Sequence, residues 1–147
     1  MKKILYVDLD NVLVNFQSGM DRLDKLTYEK YRDNWDEAPS IFSLMDPLEG
    51  AIGSYNILAQ KFDTYILSTS PWENPTALQD KLNWVKKYLG TVAYKRLIIS
   101  HNKHLNLGDY LIDDRLKNGA DKFTGKLILF GSDKFPDWKT VVKYLIP

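Results

Sequence analysis

Two carboxylates, Asp8 and Asp10, stand where the apolar run Ile4–Val7 should end, and a second acidic pair, Asp113 and Asp114, follows Leu111 and Ile112. Neighbouring carboxylates repel unless a cation lies between them. With no His or Cys beside them, oxygen ligands suggest a hard cation. Mg²⁺ is expected before Ca²⁺, because few carboxylates are on offer and phosphate plus water would complete an octahedron. The hydroxyls of Ser68, Thr69 and Ser70, helix N-terminal amides and the ammonium of Lys103 supply the parts of a cradle for a phosphoryl group. Together these residues point to phosphoryl transfer. A P-loop is not its vehicle: Gly125–Lys126 lacks both the upstream glycine and the following hydroxyl.

Such groups work only if the fold brings them together. Short apolar runs at ILYV, YILS, RLIIS, YLID and KLILF read as strands. Between most of them lie stretches with helical periodicity: Pro47 to Lys61 through Leu48, Ile52, Tyr55 and Leu58–Ala59, and Pro75 to Leu89 through Leu78, Leu82, Val85 and Leu89. Asn74 is positioned to cap the second helix, with Pro75 in its first turn and Gly90 past its end. A last helix is expected over Pro136 to Leu145, packed through Trp138, Val141, Val142 and Leu145. The alternation predicts an α/β fold, a Rossmann-like three-layer sandwich around a mostly parallel five-stranded sheet. Ligands of such sheets bind beyond the carboxyl ends of the strands, where all four polar groups fall. One stretch, about residues 17–45, is too long for a βα connection and has no strand signal. It is expected to be a small helical cap inserted within a single domain spanning 1–147.

The whole chain restricts the partners. Twenty Lys and Arg against nineteen Asp and Glu leave a net charge of +1, so no global field favours a nucleic-acid polymer or a membrane surface. The absence of cysteine excludes disulfides and thiol catalysis. Lys2 and Lys3 precede an apolar run that Asp8 cuts well short of a signal-peptide core, and a cytoplasmic location is the expectation.

The segments DLDNVLVNF, LSTSPW, HNKH and YLIDDR, in that order and spacing, resemble the four motifs of the haloacid dehalogenase-like phosphatases. DKLNWVKKYLG and the late DWKTVVKYL make the resemblance closer to the 5'(3')-deoxyribonucleotidase branch. Asn11 stands where the first motif usually has Gly, and the insertion is shorter than in the animal enzymes. The resemblance implies a Mg²⁺-dependent phosphomonoesterase acting on (deoxy)ribonucleoside monophosphates. It implies Asp8 as nucleophile and Asp10 as acid and base. The Asp8 carboxylate, the Asp10 main-chain oxygen and Asp114 would be the metal ligands, and Thr69 and Ser70 would bind phosphate. Lys103, ten residues before Asp113, is favoured over Lys81 as the phosphate lysine. Asp113 would hold that lysine or stand behind the metal's ligands, and which of the two acids touches metal is open at this stage. Phe16 matches an aromatic that stacks on the base.

Other residues read more plainly. Trp84 and Trp138 fall on apolar stripes and belong to the core, while Lys86–Lys87 face solvent. Arg115 follows the acid pair and can neutralise it. His101 and His104 flank the lysine on a loop, and Trp35, Phe42 and Trp72 are candidates for the pocket wall. Two rival readings share the chemistry: a phosphatase of another small ester such as a sugar phosphate, and a non-catalytic phosphoacceptor module. The second normally carries its acceptor on a middle strand, whereas here the first strand ends in DxD.

Overall fold

A computed structural model describes all 147 residues, Met1–Pro147. In chain order the elements are β1 (Ile4–Val7), β2 (Val14–Asn15), α1 (Phe16–Asp21), α2 (Lys25–Lys30), β3 (Asp46–Pro47), α3 (Ala51–Lys61), β4 (Asp63–Ser68), α4 (Ala77–Tyr88), β5 (Leu97–Ile99), β6 (Tyr110–Asp113), β7 (Lys126–Leu129) and α5 (Trp138–Leu145). The main sheet is parallel throughout, in the order β5-β4-β1-β6-β7. All five expected strands are present, and the α/β Rossmann-like fold is as read from the sequence.

Alternation along the strands separates two faces. Leu5, Val7, Ile66, Ile112 and Ile128 enter the larger core cluster, which also takes the buried apolar and aromatic residues of α3, α4 and α5. Tyr6, Leu67 and Leu111 enter a smaller one on the other side, closed by Ala120 and Phe123 from a short 3₁₀ turn and its flank. The helical layer is therefore thick on one face, while loops and single turns cover the other.

Three helix starts differ from the sequence expectation. Pro47 pairs with Val14 in a two-stranded antiparallel ribbon at the root of the insertion. Gly50, at φ +76°, then turns the chain through the left-handed region, so α3 begins at Ala51. Asn74 does not cap α4, which begins after Thr76 without a side-chain cap bond. The last helix starts at Trp138, where Asp137 accepts from the Thr140 amide. The stripe on α4 is also displaced. Leu78 is exposed, and the buried face runs through Ala77, Lys81, Trp84 and Val85.

The segment after β2 folds into α1, α2 and two 3₁₀ turns at Trp35–Glu37 and Ile41–Ser43. Its anchors reach α4 and the loop before it: Trp84 Nε1 donates to Met45 O, and Asn74 Nδ2 donates to the carbonyls of Asp36 and Ala38.

Candidate active site

Register places the acids side by side. Val7 on β1 pairs with Ile112 on β6, and the Asp8 amide donates to Ile112 O, which sets Asp8 against Asp113 at the same sheet edge. Asn11 then takes φ +59°, a left-handed turn that Asn tolerates better than most residues, and Val12, Leu13 and Val14 all bond back to Leu9 O. The tight loop holds Asp10 over the strand ends.

Lys103 lies at the centre. It is 3% exposed, and its Nζ donates to Asp8 Oδ1 at 3.0 Å and to Asp113 Oδ2 at 2.5 Å. Burial disfavours its ammonium, but Asp8 and Asp113 outweigh that and raise its pKa. Both oxygens of Asp113 are engaged, since the other accepts the Arg115 amide at 3.0 Å. Arg115 thus meets Asp113 through its backbone, and the charge of its exposed side chain favours the ionised form of Asp114.

Desolvation raises the Asp8 carboxyl well above the usual carboxylate range. Lys103 opposes this, and the charges of Asp113, Asp10 and Asp114 add to it. Asp114 is raised too, by desolvation and then by Asp113. Asp8, Asp113 and Asp114 can each bring a carboxylate oxygen within 4.8 Å of the others, and Asp114 Oδ1 is buried with no partner. Three acids against one buried ammonium leave net negative charge beside an unused oxygen donor. That donor set fits a hard divalent ion, with Asp114 offering the free oxygen and Asp113 committed to Lys103.

Above this floor opens a cavity of about 500 Å³, lined among others by Asp10, Phe16, Trp35, Thr69, Ser70 and Trp72. Thr69 Oγ1 donates to Ser100 O at 2.8 Å. Trp72 and His101 meet edge to face at its mouth, with ring centroids 5.6 Å apart. His104 lies outside it.

Two expectations need correction. Ser68 is fully buried and its hydroxyl accepts from Lys81, so it belongs to no phosphate cradle open to the cavity. Phe42 is a buried plug within the insertion, packed edge to face on Phe16, and not part of the cavity wall. Lys81 was underrated from sequence: it is 1% exposed and its Nζ donates to Asp10 Oδ2 at 3.0 Å. The readable signal was a lysine at position i+4 from Ala77 and i−4 from Val85, on a helix face otherwise apolar or aromatic.

The family described as "5' nucleotidase, deoxy (Pyrimidine), cytosolic type C protein" matches residues 27–139. A relative from Vibrio phage KVP40, assigned as a 5'(3')-deoxyribonucleotidase, is 57% identical over 144 residues, covering 98% of this chain and 85% of its own. The human 5'(3')-deoxyribonucleotidase of cytosolic type is 27% identical over 165 residues, covering 92% of this chain and 77% of its own. Among solved structures, the HAD-hydrolase YfnB of Bacillus subtilis bound to magnesium superposes with a TM-score of 0.68 at 12% identity, covering 99% of each chain. At that identity the match speaks for the fold alone.

Proposed function

Because the chain belongs to the 5'(3')-deoxyribonucleotidase family of haloacid dehalogenase-like hydrolases, which cleave phosphoric monoesters, we propose that it hydrolyses (deoxy)ribonucleoside monophosphates through a phosphorylated Asp8. One observation carries the reading: four strand ends deliver Asp8, Asp10, Thr69, Lys103 and Asp114 to a single acidic floor beneath an aromatic-walled cavity of about 500 Å³.

Lys103 holds one carboxylate oxygen of Asp8, leaving the other to attack phosphorus. As the new O–P bond forms, the ester P–O bond breaks and Asp10 gives its proton to the departing alkoxide. Asp10 then takes a proton from the water that attacks the aspartyl-phosphate, releasing inorganic phosphate and restoring Asp8. Thr69 and Ser70 stand at the wall to orient the phosphoryl group, the Thr69 hydroxyl exchanging Ser100 O for a phosphoryl oxygen. The Asp8 carboxylate, the Asp10 main-chain oxygen and Asp114 would hold Mg²⁺. Bound there, the ion would draw charge off the phosphoryl oxygens. Phe16, with Trp35 beside the same cavity, offers a face for the base.

The test is turnover of a panel of nucleoside monophosphates. Asp8→Asn should abolish it, and Asp10→Asn should lower it by about 10²–10⁴-fold. Chelator should remove activity, Mg²⁺ should restore it, and Ca²⁺ should substitute poorly. Near-full activity in Asp8→Asn, or in excess chelator, would overturn the reading.

A further inference from the structure

Asp10 has two carboxylate oxygens in different situations. Oδ2 accepts from Lys81 Nζ at 3.0 Å, while Oδ1 is buried and has no hydrogen-bond partner. Lys81 comes from the second turn of α4, far from the catalytic loop in sequence, and is fixed on three sides. Its Nζ also donates to the buried Ser68 hydroxyl at 2.9 Å and lies 4.4 Å from the centroid of the Phe42 ring. Phe42 in turn packs on Phe16 at the cavity wall.

We propose that Lys81 is a positioning residue for proton transfer: its bond to Oδ2, itself anchored by Ser68 and Phe42, fixes the orientation of the Asp10 carboxyl at the cavity floor. The inference rests on the reading of Asp10 as the acid. In the step concerned, the ester P–O bond breaks and the Asp10 proton passes to the departing alkoxide oxygen, leaving Asp10 ionised against Lys81. Lys103 performs a separate task on Asp8, so the two buried lysines divide the two acids between them.

Leaving-group dependence separates positioning from mere support. Departure of a nucleoside alkoxide needs a proton, whereas p-nitrophenolate leaves as a stable anion. The value of kcat/KM reports the steps through leaving-group departure and not the later hydrolysis of the aspartyl-phosphate. Lys81→Met keeps the apolar stem and removes the ammonium. It should lower kcat/KM for a nucleoside monophosphate by about 10²-fold, the scale of a ~1 Å misplacement of a reacting group, and leave kcat/KM for p-nitrophenyl phosphate little changed. Ser68→Ala removes one anchor of the ammonium and should give a smaller split in the same direction. Equal losses on both substrates, with or without a lowered melting temperature, would overturn the proposal, as would no loss on either. Asp10→Asn is the control: a split there without one in Lys81→Met sinks the role of Lys81 alone, and no split in Asp10→Asn removes the acid and its positioner together.

Discussion

At the scale of the residue, identity was legible where a side chain's surroundings are fixed by the strand it follows. An acid after a strand end can be placed by counting along the strand, which is why Asp8 and the 113–114 pair could be read as neighbours. The division of labour between Asp113 and Asp114 could not, because it depends on which carboxylate Lys103 and the Arg115 amide reach first. Phe16 shows the same limit. It is half-buried, lines the cavity and also packs on Phe42, so it serves as wall and as plug. If the exposed face carries the base, Phe16→Ala should raise KM for nucleoside monophosphates. Base–aromatic stacking is worth ~1–3 kcal/mol in single-strand binders, roughly a 5- to 150-fold effect. Hydrolysis of p-nitrophenyl phosphate, which has no base, should be spared. Kinetics on both substrates with a melting curve settle it: parallel losses and a lowered Tm would leave Phe16 as a plug only.

At the scale of the element, the strands were legible because three or four apolar residues bounded by polar ones leave few choices. Helix faces were less so. The periodicity of α4 was read from Leu78, yet the buried face is set by Ala77, Lys81, Trp84 and Val85, since the insertion packs against that side. Tertiary contact chose the face and placed Lys81 on it. Asn74 illustrates the same override. Its sequence position is that of a cap, but its side chain joins two segments: Nδ2 donates to Asp36 O and Ala38 O, and Oδ1 accepts from the Thr76 amide and hydroxyl. Truncation would strand Asp36 O and leave Ala38 O with the Ile41 amide alone, in the segment that also carries Trp35. Asn74→Ala should therefore loosen the insertion, raising KM for nucleotides several-fold while kcat for p-nitrophenyl phosphate holds, at a stability cost of ~1–3 kcal/mol for unsatisfied buried groups. Steady-state kinetics beside a denaturation curve test this, and an effect on stability without any change in KM would make Asn74 a simple brace.

At the scale of the whole molecule, residues from opposite ends of the sequence converge on one loop. Trp138, on the last helix, is buried, and its Nε1 donates at 2.7 Å to Val12 O, in the loop that carries Asp10. The sequence marked Trp138 as core from its stripe, but nothing in it could tell which carbonyl the indole meets across 126 positions. The bond ties the last helix to that loop, and two substitutions separate its contribution to the core from any contribution to the site. Trp138→Ala removes both packing and hydrogen bond, a loss of ~3–5 kcal/mol for a buried aromatic, which is a large share of the ~5–15 kcal/mol that domains possess. It should leave little folded protein at elevated temperature. Trp138→Phe keeps most of the packing and strands Val12 O, at a cost of ~1–3 kcal/mol, or about 2–4 °C in Tm per kcal/mol at this size. If the loop is held by that bond, Trp138→Phe should also lower kcat on nucleoside monophosphates at temperatures well below its melting point, where the chain is still folded. A Trp138→Phe variant with reduced Tm and undiminished kcat would confine the indole to the core and detach the last helix from the site.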